Sequence, residues 1–166
     1  VFVNGRLHDG LSDTHPLPAG VQLAPMSASL VVEGGSAPLL ARHYERSDEI
    51  FARLNSALAD EGVVLRVTEG TQVEVPVQLV FASVASGDDQ AWHHRSLVEL
   101  GAGASLGIVE HHLQAGDAAH LDNSVVHVHV AREAVLRHAR VQAGGARQTS
   151  FLRTDAVLAR DAQYHR

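Results

Sequence analysis

The sequence predicts a mainly β protein: a parallel β-helix with one α-helix and an irregular lead-in. Three observations predict it. Alternating apolar segments recur at spacings of 33, 30 and 28 residues when Leu65, Val98, Val128 and Ala156 are taken as equivalent. Each segment is followed by a short corner and then by an apolar position, Val73, Leu106, Leu136 or Tyr164. The apolar set is dominated by 22 Val and 19 Leu with only 4% aromatics, and Val-rich alternation favours strands. One such repeat cannot bury an apolar face alone. Stacked about 4.8 Å apart, successive repeats form continuous sheets around a narrow core. The competing architecture is an antiparallel sandwich with evenly spaced strands.

Residues 1–46 read as a lead-in. Val1 to Leu7 forms a hairpin around the Asn4-Gly5 turn signal. Pro16, Pro18 and Gly20 punctuate the next stretch, and Gly34 to Pro38 reads as a flexible loop. Residues 47–62 supply the helix entering the core. Ser47 caps it, Asp48 and Glu49 sit in its first turn, and Ile50, Phe51, Leu54, Ala57 and Leu58 form one apolar face. Gly62 is read as its C′ residue.

Residues 63–166 form the β-helix core, expected to be truncated at the C-terminus. Its corners are Glu69-Gly70-Thr71, Ala102-Gly103-Ala104, Arg132-Glu133-Ala134 and Arg160-Asp161-Ala162. Period-two alternation points Val63, Leu65 and Val67 inward, together with Ser96, Val98 and Leu100, and Val126, Val128 and Val130. One outward column is then Arg66, Glu99, His129 and Val157. The next is Val64, Leu97, His127 and Asp155, whose apolar start calls for cover by another element or a partner.

Composition excludes several chemistries. Cysteine is absent, which removes disulfides, thiol nucleophiles and clusters held by this chain's own thiolates. All 13 basic residues are Arg, so Schiff-base lysine chemistry and a Walker lysine are absent too. A net charge of −6 argues against nucleic-acid binding. No run of about 18 apolar residues exists for a membrane span. A cytoplasmic location is expected.

The twelve histidines cluster at His93-His94, His111-His112 and His127-x-His129. With Glu133 the last reads His-x-His-x-x-x-Glu, which resembles the metal motif of cupins. The motif's glycine is replaced by Leu121, and its second half is missing, so two solvent-facing histidines are the simpler reading. Gly101, Gly103 and Gly107 superficially resemble a dinucleotide loop, but no helix comes after them to receive a pyrophosphate. Glu110, Asp117, Asp122 and Asp155 read as scattered carboxylates rather than an acidic cluster, and Ser83, Ser86, Ser96 and Ser105 lack a triad context. No catalytic, cofactor-binding or metal-binding residue is assigned.

Specific strings carry a family resemblance. Residues 51–67 (FARLNSALADEGVVLRV), with Gly70 and Pro76, resemble the entry into the core domain of the SufB/SufD family of iron–sulfur cluster assembly proteins. Residues 97–106 (LVELGAGASL), 109–112 (VEHH), 122–126 (DNSVV), 133–138 (EAVLRH) and 140–142 (RVQ) resemble its next coils. Residues 2–6 (FVNGR) and 17–21 (LPAGV) are more like SufD than SufB. The resemblance implies a right-handed parallel β-helix and a non-enzymatic scaffold subunit. It also implies a SufB-like partner bound through the β-helix and a SufC-like ATPase bound through a C-terminal helical region absent from this chain. An iron–sulfur cluster would be handled by the full complex, with no cofactor held by this segment. The isolated chain is expected to form a two-fold homodimer that buries its C-terminal coil or a sheet edge, with the apolar column of Val64 and Leu97 as a second sticky surface. Two alternatives stand beside this reading: a metal-dependent cupin-type enzyme, which would be an antiparallel barrel, and a β-solenoid interaction module without chemistry.

Overall fold

The computed structural model describes residues 1–13, 17–30, 49–117 and 119–166. Its strands are β1 (Phe2–Val3), β2 (Arg6–Leu7), β3 (Val21–Pro25), β4 (Val63–Val67), β5 (Val77–Val84) and β6 (Gln90–Leu100). They continue with β7 (Ser105–Ala115), β8 (His120–Val130), β9 (Val135–Ala143), β10 (Gln148–Leu158) and β11 (Gln163–His165). Two helices, α1 (Met26–Leu30) and α2 (Ile50–Leu58), lie among them. Successive coils place one strand in each of two sheets, ordered β11-β9-β7-β5-β1-β2 and β10-β8-β6-β4-β3. The coil strands pair in parallel throughout, giving a β-solenoid of about three turns. Parallel pairing excludes both the antiparallel sandwich and the cupin barrel.

The register is the one the repeat predicts. Leu65 pairs with Val98, Val98 with Val128, and Val128 with Ala156. Leu65, Val98 and Val128 are buried in the main apolar cluster, with Val73, Leu106 and Leu136 from the facing sheet. Ala156 keeps its place in the column yet is solvent-exposed, because β10 is an edge strand. On the outer face, Arg66 Nε donates to Glu99 Oε2 at 2.6 Å, and Glu99 pairs in register with His129.

The corners repeat one backbone device. Gly70, Gly103, Glu133 and Asp161 all have positive φ, between 58° and 72°. Each corner donates to the next along the stack: Gly70 N–H to Ala102 O, Gly103 N–H to Arg132 O, and Glu133 N–H to Arg160 O. Glycine adopts this left-handed conformation without strain; Glu133 and Asp161 hold it at a cost.

The lead-in is more regular than expected. The Asn4-Gly5 hairpin forms as predicted, with positive φ at both residues. β1 then joins the first sheet alongside β5, Phe2 pairing with Phe81, and β3 runs antiparallel to β4. The Val64 and Leu97 column is covered by this chain itself: both are buried beneath Met26, with Ala59 packed alongside. It therefore offers no surface for self-association. Gly34 to Pro38, Pro16, Ser47 and Asp48 lie outside the described residues.

The helix differs from expectation in three ways. It spans Ile50–Leu58, and its N-cap, Glu49, makes no side-chain capping bond. Gly62 is not its C′ residue: the helix ends at Ala59, and Gly62 instead passes against the Arg95 backbone, where a Cβ would collide. Most of the predicted apolar face points to solvent, with Ile50, Leu54, Ala57 and Leu58 exposed and Phe51 half-buried in a stack with Phe151, while Ala52 and Asn55 are buried. The reason is polar docking. Asn55 Nδ2 donates to His94 O at 2.8 Å and to Asn123 O at 2.9 Å, and Arg95 Nη1 donates to Asn55 Oδ1 and Ser56 Oγ.

This packing sets two stability outcomes. Val128 is fully buried, so Val128→Asp lowers unfolding free energy by about 3 kcal/mol or more, whereas Val157→Thr on the exposed outer column changes it by less than about 0.5 kcal/mol. Nothing lies within 4 Å of a Cβ built on Gly103, so Gly103→Ala isolates backbone strain and costs about 1 kcal/mol, while Glu133→Gly relieves strain and costs nothing. Urea denaturation measures both pairs.

Candidate functional site

The inward parity that builds the apolar core continues past it. From Leu100 backwards along β6 the inward positions are Val98, Ser96 and His94; from Val130 along β8 they are Val128, Val126, Ser124, Asp122 and His120. From Leu106 along β7 they are Ile108, Glu110 and His112, and from Leu136 along β9 they are His138 and Arg140. The half of the core next to the left-handed corners is therefore apolar, and the other half is polar. Asp122, His112, Glu110, His138 and His94 are all buried.

These side chains form one chain of contacts. His112 Nδ1 donates to Asp122 Oδ2 at 2.8 Å, since an ionised carboxylate can only accept. Ser124 Oγ donates to Asp122 Oδ1 at 2.6 Å, and His94 Nδ1 lies 4.0 Å from the same oxygen. The other face of His112 turns to Glu110, with Nε2 3.7 Å from Oε2. His138 Nε2 sits 3.2 Å from Glu110 Oε1, and Arg140 Nε donates to Glu110 Oε2 at 2.5 Å. His138 Nδ1 meets the Tyr164 hydroxyl at 2.9 Å, and Arg140 Nη2 donates to Thr154 Oγ1 at 3.3 Å. Phe81 stacks on the His112 ring with centroids 4.9 Å apart, and Phe2 and Phe81 pack around His94.

Burial alone would raise both carboxyls. Attraction from His112, His138 and the Arg140 guanidinium outweighs it at Glu110 and holds that group well below the usual carboxylate range. His112, His94 and Ser124 do the same for Asp122. Burial works to lower His112, but Asp122 and Glu110 together raise it above its ordinary value. Neither ring nitrogen of His94 has a hydrogen-bond partner, nor does Nε2 of His112 or His138. The arrangement can hold charge and protons in a buried core. Among the described residues no group of three or more His, Asp or Glu side chains could hold a metal ion.

Glu110 and Asp122, read from sequence as scattered, are thus brought together through His112, while Asp117 is exposed and Asp155 pairs with Arg153 at 2.7 Å. His127 and His129 share the outer face of β8, His127 buried and His129 half-buried, and Glu133 lies in the corner 3.6 Å from Arg132. His111 bonds Gln78 on the outside, and His93 Nδ1 accepts from Asn123 Nδ2 beside α2, where burial lowers its basicity. Ser83 meets His120 at 2.9 Å beneath Trp92. Gly103 is a corner followed by β7, not by a helix. The signal that reveals the network is the strand parity itself, carried beyond the apolar residues.

A parallel two-sheet solenoid of this kind defines the structural class. The chain belongs to the SufBD core-domain family of the SUF system for FeS cluster assembly, whose model matches residues 82–166, from late β5 through β11. It is similar to "Iron-sulfur cluster assembly protein SufD" of Escherichia coli (strain K12), with 28% identity over 116 residues, 69% of this chain. The chain spans about 27% of that relative's length.

The network has a measurable energetic signature. Glu110 is buried and the half-buried Arg140 lies 2.5 Å from it, so Arg140→Met leaves a buried carboxylate without its guanidinium and destabilises by about 3 kcal/mol. The double variant Arg140→Met/Glu110→Gln costs less than the two single changes added together, and a double-mutant cycle in urea measures the coupling.

Proposed function

We propose that these coils are the core of a non-catalytic scaffold subunit, SufD-like, in iron–sulfur cluster assembly. The observation that carries the reading is the coincidence of the family match with the stacked coils from β5 to β11. The similarity to an iron–sulfur cluster assembly protein supports it. A scaffold fits a solenoid whose interior is filled by side chains and whose outer sheet faces are broad. In this reading a SufB-like subunit pairs with the β-helix, and a SufC-like ATPase docks elsewhere on the full-length protein. Among the described residues no strand pairs with β10 on its side away from β8, so that edge is the element suited to strand pairing. A second copy of the chain would use the same edge when the isolated chain dimerises.

Complementation tests the proposal. The full-length protein restores growth under iron limitation to a strain lacking its SufD, and it co-purifies with SufB-like and SufC-like subunits. Failure of both would overturn the reading. The non-catalytic part is tested separately. Glu110→Gln, in protein shown by circular dichroism to keep its fold, supports cluster assembly at the parental rate. Loss of assembly with the fold intact would make the network catalytic instead.

A further inference from the structure

His112 sits on the interior face of β7 with a carboxylate on each side. Asp122 Oδ2 on β8 is 2.8 Å from Nδ1, and Glu110 Oε2 on its own strand is 3.7 Å from Nε2. Phe81 of β5 closes one ring face. The remaining charged and titratable groups around it are Arg140 and His138 of β9, which face Glu110, and His94 of β6, which faces Asp122. Ser124 of β8 donates to Asp122, and Tyr164 of β11 lies beyond His138. Glu110 is answered by a permanent cation, Arg140. The groups that hold Asp122 are His112, His94 and Ser124, none of which is permanently charged. An uncompensated buried charge is costly.

We propose that His112 is a proton-binding site built into the solenoid core, an imidazolium clamped between Asp122 and Glu110, whose loss at alkaline pH loosens the coils. The bound proton completes the charge balance of the core: Arg140 answers Glu110, and His112 answers Asp122. It also explains why Phe81 stacks flat on this ring, since a cation over an aromatic face is favourable where both are buried. His138, whose Nε2 lies 3.2 Å from Glu110 without a hydrogen bond to it, and the half-buried Tyr164 hydroxyl bonded to its Nδ1 mark the direction in which the site exchanges protons with solvent. Burial raises Tyr164, so its hydroxyl keeps its proton over the range concerned and relays by hydrogen bonding.

The direction of the pH dependence depends on which state holds more protons. His112 is raised in the folded state, so its contribution is fully present below the unfolded value of about 6.5 and is lost as pH rises through the folded value. Asp122 and Glu110 are depressed, so theirs is present above about 4 and is lost as pH falls toward their folded values. The core is most stable in the mildly acidic window between these limits. Above it, unfolding releases the His112 proton, and the folding equilibrium constant falls by up to tenfold per pH unit.

The test is histidine nitrogen NMR on the full-length protein, labelled at histidine, with the His112 resonance identified by its proximity to the Phe81 ring. The expected result is an imidazolium, protonated at both nitrogens, at pH 7, with a midpoint above that of the exposed histidines. Tyr164→Phe slows exchange of its N–H protons with solvent several-fold. A neutral His112 ring at pH 6 would overturn the proposal. So would stoichiometric zinc binding that displaces the His112 protons, because the site would then be one for metal. His112→Gln, where it folds, loses the decline in stability above neutrality; an unchanged decline in a folded His112→Gln protein also overturns it. The result does not depend on the cluster-assembly role, so either idea can fail alone.

Discussion

In-register parallel stacking is the constraint on which everything else in this molecule rests. Each coil lays its residues directly over those of the coil before, so a choice made at one position becomes a column. At Leu65, Val98 and Val128 the column is apolar and closes the core. At Arg66 and Glu99 it is outward and charged, and the pair bonds across strands. A slip of one residue would exchange these faces and put Glu99 where Val98 lies. The corners obey the same rule through backbone rather than side chains, since four successive turns place a left-handed residue at one level.

The same constraint makes the polar half of the core hazardous. Buried side chains able to carry charge are tolerated there because they meet partners from neighbouring coils. Arg140 on β9 reaches Glu110 on β7, and Asp122 on β8 reaches His112 on β7, so the contacts tie both sheets as well as adjacent turns. Such a network adds little net stability over an apolar core, but breaking one member is expensive. The coils are therefore held in one arrangement by charge at one end of each strand and by close packing at the other.

Much of this was legible in the sequence. Spacing and alternation were enough to place Leu65, Val98 and Val128 in one column, and the corner triplets were enough to mark the turns, because both depend only on period and local backbone chemistry. Recognition of the family rested on strings such as residues 97–106, which occupy a corner and its two flanking strands. The candidate site was not legible in the same way. Histidines and carboxylates look outward by habit, and only strand parity extended past Val98 and Ile108 turns His94, Glu110 and His112 inward. The helix misled for a related reason. Its apolar stripe suggested burial of Leu54, but Asn55 wins the buried position by bonding two strand carbonyls. The short β3 and α1 carried no periodic signal of their own and form by pairing and packing with β4.

The hairpin of β1 and β2 has a consequence for the order in which strands can dock. Phe2 lies beside Phe81, 79 positions further on, while successive coils pair residues only 28 to 33 apart. A nascent chain leaving the ribosome can therefore add coils one upon another with short loop closures, but β1, held only by its hairpin partner β2, must wait until β5 has emerged. During that interval Phe2 has no core to enter. β1 is thus made well before its partner and cannot dock until β5 exists, and a chaperone that shields Phe2 over that interval would cover an apolar side chain that has nowhere yet to go.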